Sequence, residues 1–140
     1  MADHVLALRK AVVKKLLADT AVVALVGDRV YGESPPPTPE WPFIRYGLPS
    51  ADNYEASCWD GKDHDLVLHA FARGDDMAAC SALAAAVESA MSEESGLPLV
   101  GIGLVGISFV RTQIIRDSDE QGAYHAIIQF TATTFEPVEA

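Results

Sequence analysis

The stretch HDLVLHAFAR, residues 64–73, has the alternating pattern of an extended strand that is apolar on both sides. In such a strand, successive side chains point to opposite faces. One face carries Leu66, Leu68, Ala70 and Ala72, and the other carries Val67, His69 and Phe71. Because both faces are largely apolar, the pattern predicts a strand that is covered on both sides, by the chain's own helices and by something else.

Three helical patterns surround this strand in the sequence. Apolar residues recur at spacings of three and four over residues 4–18, and a short helix is predicted over residues 21–26. A third, Ala-rich helix is predicted over residues 77–92. The residues placed to cap these helices are Asp3, then Asp19 or Thr20, then Asp75 or Asp76.

Further strand patterns complete a single domain over residues 1–140. RVY and FIRYGL are short strands, residues 49–63 are a loop or an edge strand, and residues 107–116 and 123–133 form a hairpin. The tail, residues 135–140, is expected to be loose. The order of these elements predicts an α+β fold, with a mostly antiparallel sheet of four to five strands and two main helices packed on one face.

The segment at residues 32–42 holds five of the eight prolines of the chain. Prolines fix the φ angle and favour extended polyproline II backbone, so this segment is predicted to be a stiff loop between two short strands. We expect residues 33–41, called here the proline arm, to reach a neighbouring subunit or another partner. The alternative is a rigid cover over the edge of the sheet.

Charge and composition exclude several classes of protein. The net charge of −10 argues against a protein that holds nucleic acid by its phosphates, because such proteins need clustered Lys and Arg. The N-terminal segment is interrupted by charged residues and has no signal-peptide pattern, and no membrane association is predicted. We expect a protein made in the cytoplasm.

Two polar motifs invite a catalytic interpretation, and neither supports one. CWDGKDHD, residues 58–65, matches neither a calcium loop nor a zinc site, so a charged turn before the strand is favoured. Gly101, Gly103 and Gly106 form G-x-G-x-x-G, but a strand pattern follows where a dinucleotide site needs a helix. The glycines instead indicate a bulged or twisted entry to a strand. We predict no catalytic residues, no metal and no cofactor.

The remaining signal is apolar and aromatic surface near stiff prolines, which is typical of a contact surface between proteins. The residues predicted to form interfaces are Pro35, Pro36, Pro37, Trp41, Phe43, Tyr54, Trp59, His69 and Phe71. Asp117, Asp119 and Glu120 belong to the polar linker of the predicted hairpin, which is expected to be an exposed tip. The sequence therefore favours an assembly protein.

The order of these motifs resembles the tail-completion or tail-terminator proteins of long-tailed phages and gene transfer agents. The resemblance spans roughly Leu6 to Thr134, and its most specific part is L-x-G-D-R-V-Y … P-x-x-P-F-I, residues 25–44. The later strand, the Ala-rich helix, LPLVGIGLVGISF and RDSDEQGAYHAIIQFTATT follow in the same order. This is a structural signature and not a catalytic one.

The resemblance implies a structural protein of a virion or phage-like particle at the head–tail junction. Its copies would close into a homo-oligomeric, hexameric ring that caps the tail tube, contacts the tail tube protein and the head–tail connector or stopper protein, and lets DNA pass without specific binding. In such a ring, the hairpin tip with Asp117, Asp119 and Glu120 would face the lumen or the tube. One alternative is a head-completion or stopper protein at the connector. Another is a small metal-dependent cytosolic enzyme using Asp60, His64 and Asp65.

Overall fold

The computed structural model describes residues 3–56, 59–92, 97, 99–116 and 122–137. Its helices are α1 (His4–Ala18), α2 (Thr20–Val26) and α3 (Ala78–Ala90). Its strands are β1 (Val30–Tyr31), β2 (Phe43–Tyr46), β3 (Ser50–Ala56), β4 (Trp59–Arg73), β5 (Gly103–Arg116) and β6 (Ala123–Pro137). None of the described helices is long and apolar enough to cross a membrane.

Strand β4 organises the sheet. The strand order is β1-β2-β4-β6-β5, and β3 pairs with the first half of β4. Strand β2 continues along the same edge of β4 as β3, and β6 pairs with the whole of the other edge. Among the described residues, β1 and β2 form the only parallel pair. The predicted α+β class and the mostly antiparallel sheet are confirmed, and the described residues form six strands where four to five were predicted.

The helices cover one face of the sheet, as the alternation in β4 predicts. Leu66, Leu68 and Ala70 are fully buried there, and burying each leucine contributes roughly 1.5–3 kcal/mol. From α3, Leu83 and Cys80 pack into the same core, and the Sγ atom of Cys80 lies 3.7 Å from the Ala70 carbonyl oxygen. Burial raises the pKa of the Cys80 thiol. We call this covered surface the inner face.

The starts of α1 and α2 agree with the predicted caps. Asp3 accepts a hydrogen bond from the Leu6 amide at 3.1 Å, and Asp19 accepts one from the Val22 amide at 3.0 Å. The N-cap of α3 is Met77 and not the predicted Asp75 or Asp76, but Asp76 still accepts a hydrogen bond from the Ala78 amide at 2.8 Å. Each carboxylate satisfies an amide that has no partner within its helix and lies at the positive end of the helix dipole.

Four strands extend further than their sequence patterns indicate, and one of them is β5, which begins at Gly103 instead of residue 107. Residues 50–56 are a strand, which resolves the choice between loop and edge strand, and β4 already begins at Trp59. Strand β6 continues to Pro137, so the prediction of a loose tail is wrong for residues 135–137. The backbone ladder of β4 supplies hydrogen bonds to both neighbours, and these do not require apolar side chains.

The glycine-spaced segment leads into β5, as predicted. The register against β6 shifts between Leu104 and Gly106, which is a bulge near the start of the strand. At Gly103, a Cβ atom would clash with the outer end of the Phe135 ring, so any larger residue here requires that ring to move. The dinucleotide interpretation fails because a strand, and no helix, follows these glycines.

A buried polar network ties α1 to the inner face. The Thr134 hydroxyl lies 2.7 Å from Nδ1 of His4 and 2.8 Å from Nε2 of His64. Both histidines and the threonine are buried, and Nε2 of His4 also lies 3.4 Å from a carboxylate oxygen of Glu136. Burial, followed by the neighbouring His4, lowers the pKa of His64. One hydroxyl therefore pairs with a nitrogen of each buried ring, while Nδ1 of His64 has no hydrogen-bond partner among the described residues.

Thr134→Val should destabilise the fold by about 1–3 kcal/mol, because the isosteric side chain leaves two buried ring nitrogens without the hydroxyl. Urea unfolding followed by circular dichroism measures the change. Thr131→Val, on the exposed side of the same strand, is the matched control and should change stability by no more than about 0.5 kcal/mol. Equal losses in the two variants would contradict a structural role for the network.

Candidate assembly interface

The second face of the sheet points away from the helices, and we call it the outer face. Val67, His69 and Phe71 of β4 lie on it, because they alternate with the buried inner-face residues. The strand register places His125 and Ile127 of β6 directly beside Phe71 and His69. Most of these side chains are only half-buried, so no element among the described residues covers this face as the helices cover the other.

Five rings form a continuous stack on the outer face, and we call it the aromatic cluster. Phe43 and Phe71 stack with ring centroids 4.5 Å apart, and Phe71 stacks on His125 at 4.2 Å. Trp41 meets Phe43 and Phe71 edge-on at 5.5 and 5.6 Å, and His69 lies 4.9 Å from His125. Such ring pairs contribute about 0.5–1.5 kcal/mol each beyond their buried area.

Two arginines extend the aromatic cluster toward solvent. The guanidinium of Arg73 lies 4.4 Å from the ring centroid of Trp41, and that of Arg45 lies 5.9 Å from the ring of Phe71. The faces of aromatic rings attract cations. The cluster is therefore an amphipathic surface, with flat apolar rings edged by positive charge. Trp and Arg are enriched among residues that dominate binding energy in protein interfaces.

The histidine pair is the polar centre of the cluster. Nδ1 of His69 lies 2.7 Å from Nε2 of His125, so one ring donates a proton to the other. Burial, then the charge of Arg45 and the adjacent His125, lowers the pKa of His69 from 6.5 to about 4. His69 is therefore neutral at pH 7. Protonation of both rings would place two donors against each other and break the bond.

Lowering the pH should reduce the free energy of unfolding, because His69 gains a proton more readily in the unfolded chain. Its pKa is lower in the folded chain than in the unfolded chain, so the unfolded chain binds the proton first and the stabilisation is complete only above about pH 6.5. The free energy of unfolding should fall as the pH decreases from about 6.5 through 4, by about 1 kcal/mol after allowance for partial exposure.

Urea unfolding of the wild type and of His69→Gln at several pH values measures this effect. The variant should show a shallower pH dependence over the same range, with the part due to His64 retained. Identical slopes for the two proteins would show that His69 does not gain its proton on unfolding.

The structure brings together four of the predicted interface residues and separates the others. Trp41, Phe43, His69 and Phe71 join the aromatic cluster. Tyr54 lies on β3, paired with Gly61 and 38% exposed, and Trp59 begins β4 at the far end of the sheet. The remaining predicted positions lie in the proline arm (Pro35, Pro36, Pro37) or outside the described residues (Asp117, Asp119, Glu120).

The sequence interpretation missed His125 and the two arginines as parts of this surface. Each comes from a different strand or strand end, and only the cross-strand register brings them together. The available signal was the alternation in β6, which places His125 on the side away from the core. Aligning the two strands by their apolar faces would have set it beside Phe71.

The proline arm is anchored to its own chain at both ends. Arg9 of α1 holds the Glu33 carboxylate with two hydrogen bonds of 2.7 and 2.8 Å, and Trp41 packs into the aromatic cluster. Both ends of the arm are therefore held on their own chain, and the contact of the arm with a partner stays a prediction. Pro36 and Pro37, between them, are exposed.

The polar motif before the strand does not converge on one site. In β4, His64 points to the buried inner face, while Asp63 and Asp65 alternate with it and are exposed on the outer face. This arrangement contradicts a shared site of His64 with Asp65. Within the described ranges, no three metal-ligating side chains lie close enough together to hold an ion; Cys58 lies outside them.

These features define a small α+β structural subunit whose candidate site is a contact surface. The family model of the tail completion protein gp17 matches residues 10–134, and the chain belongs to this family. The family is one of structural phage tail proteins, which confirms both the resemblance and the prediction that the chain is not an enzyme.

Solved structures agree with this assignment. A chain in the virion of a native gene transfer agent particle matches with a TM-score of 0.83 and 28% identity, over 97% of this chain and 100% of that chain. The gp17 protein of bacteriophage SPP1 shares the fold, with a TM-score of 0.59 and 24% identity, over 91% and 88% of the two chains. Comparison with curated proteins gives no match.

Proposed function

We propose that the chain is a tail terminator at the head–tail junction of a phage or phage-like particle. Its copies form a hexameric ring that caps the completed tail tube and joins it to the head connector. The observation that carries this proposal is the full-length similarity to a virion chain, together with membership of the tail completion family. The protein is made in the cytoplasm of a bacterial host and then incorporated into the particle.

The shape of the subunit supports a ring. A cyclic ring uses head-to-tail contacts, so each subunit needs two different contact surfaces. The fold has a helix layer on one side and an uncovered outer face, with its aromatic cluster, on the other. A two-layer subunit with different surfaces on opposite sides supplies what a closed ring requires.

Charge supports the passage of DNA through such a ring. The subunit carries a net charge of −10, and a ring of copies multiplies that charge. A negative potential repels the phosphate backbone, whereas DNA-holding proteins place clustered Lys and Arg against it. The ring therefore lets the genome pass without retaining it.

The exposed middle of the proline arm is the part that we propose contacts the tail tube or a neighbouring subunit. The ends of the arm are fixed by Glu33 and Trp41, while Pro36 and Pro37 stay accessible. A segment that is already stiff loses little conformational freedom on binding. The arm can therefore bind a partner in its existing conformation, without a rearrangement of the subunit.

A ring assembly should be observable directly. Light scattering after gel filtration and negative-stain images, for the protein alone and mixed with tail tube protein, should show a closed ring with a central opening. A protein that stays monomeric at high concentration under both conditions would overturn the proposal. Pull-down against purified tube and connector proteins separates the alternatives, because binding to the connector alone would indicate a head-completion or stopper protein.

Replacing Pro35, Pro36 and Pro37 with Gly and Ser should weaken assembly more than folding. The substitutions leave both anchors of the arm in place but restore its flexibility, and ordering it again costs about 1 kcal/mol or more for each residue fixed. Ring formation is measured by light scattering and stability by urea unfolding on the same samples. An assembly defect no larger than the loss of stability would make the arm an ordinary loop.

A further inference from the structure

Helix α1 presents a basic surface on an acidic protein. Four of the ten Lys and Arg residues of the chain lie in this helix, which contains no Asp or Glu. Arg9 is committed to Glu33, while Lys10 and Lys14 are exposed one turn apart. Leu17, the next residue along this side of the helix, is 40% exposed. The outward side of α1 is thus a row of two ammonium groups followed by an apolar side chain.

The outer face of the sheet carries the complementary row on β4. Asp63 and Asp65 are exposed on it, and the half-buried Val67 follows in line. The Thr133 hydroxyl donates to Asp63 at 2.6 Å, and the Ser50 hydroxyl donates to Asp65 at 3.3 Å, so both carboxylates are oriented. The register also places Asp52 directly opposite Asp63, and like charges in this position are destabilising unless a cation lies nearby.

The spacing of the two charged pairs is similar. Residues four apart on a helix are separated by about 6 Å along its axis, which applies to Lys10 and Lys14. Residues two apart on a strand are separated by about 6.8 Å, which applies to Asp63 and Asp65. The apolar residue lies at the same end of each row. A helix laid along β4 can therefore pair both charges and cover the uncovered apolar surface at once.

One chain cannot make this contact with itself. Helix α1 packs on the inner face through Leu8, Val12 and Leu16, so its basic side points away from the sheet. The acidic row lies on the opposite side of the same sheet. Two complementary surfaces on opposite sides of a subunit join one copy to the next in a head-to-tail manner, which is the geometry of a ring.

We propose that α1 of one subunit docks on the outer face of a second copy, with Lys10 and Lys14 against Asp63 and Asp65 and with Leu17 against Val67. This inference rests on the proposed ring and names the two surfaces that join its subunits. Positive charge elsewhere on the outer face lies at Arg45 and Arg73, beside the aromatic cluster. The exposed Arg111 of β5 is also on this face, two strands away from β4 and in register with Val67.

Charge reversal in alternating subunits tests the contact. The Lys10→Glu/Lys14→Glu protein and the Asp63→Lys/Asp65→Lys protein should each lose ring formation, because like charges then meet at every contact. An equimolar mixture should recover rings, since each altered surface finds its complement on the other variant. The recovered rings should contain the two variants in equal numbers, which native mass spectrometry measures. A single chain carrying all four reversals should also assemble.

The controls separate this inference from the ring proposal itself. Asp75→Lys/Glu88→Lys changes net charge as much as the second variant does, at exposed positions on the helix side, and should assemble like the wild type. Circular dichroism checks that each variant remains folded. If both charge-reversal variants still form rings, or if their mixture forms none, the proposed contact is wrong while the ring proposal stands. A wild type that forms no ring would overturn both.

Discussion

The two-sided pairing of β4 is the constraint on which the rest of this structure depends. Its first half pairs with β3, its second half with β2, and β6 runs along its entire other edge. A strand with hydrogen-bonded neighbours on both edges fixes the register of all of them, and a shift by one residue would turn every side chain to the wrong face. The buried leucines on its inner face hold that register against the helices.

The same register makes the chemistry of the outer face change along the length of β4. Moving along β4, the outward positions change from carboxylates to an aliphatic residue and then to aromatic rings flanked by arginines. The aromatic cluster exists because β2 and β6 bring Phe43 and His125 level with Phe71. A surface built on paired strands is rigid, and rigid surfaces lose little freedom on binding. This favours a role in assembly, in which many copies must meet in one geometry.

Elements with strong apolar periodicity were predictable from the sequence, and those that depend on neighbours were not. The helices and the strand at residues 64–73 could be predicted because the spacing of apolar residues in the local sequence reflects which side chains are buried. Strand β3 contains Asp52 and Asn53, residue types that are rare in strands, and it forms because β4 provides a hydrogen-bonding partner. Likewise, the sequence identified Trp41 and Phe71 as interface residues but could not show that they contact each other.

The buried thiol of Cys80 allows movements of the helix layer to be followed by chemical labelling. A thiol reagent needs an accessible thiolate, and this cysteine is both covered by the sheet and held with a raised pKa. Its modification in the native protein must wait for α3 to move away from β4. In a chain with Cys58 replaced, the labelling rate would therefore report the free energy of that local opening. Cys80 is therefore a built-in probe for the opening of α3 alone.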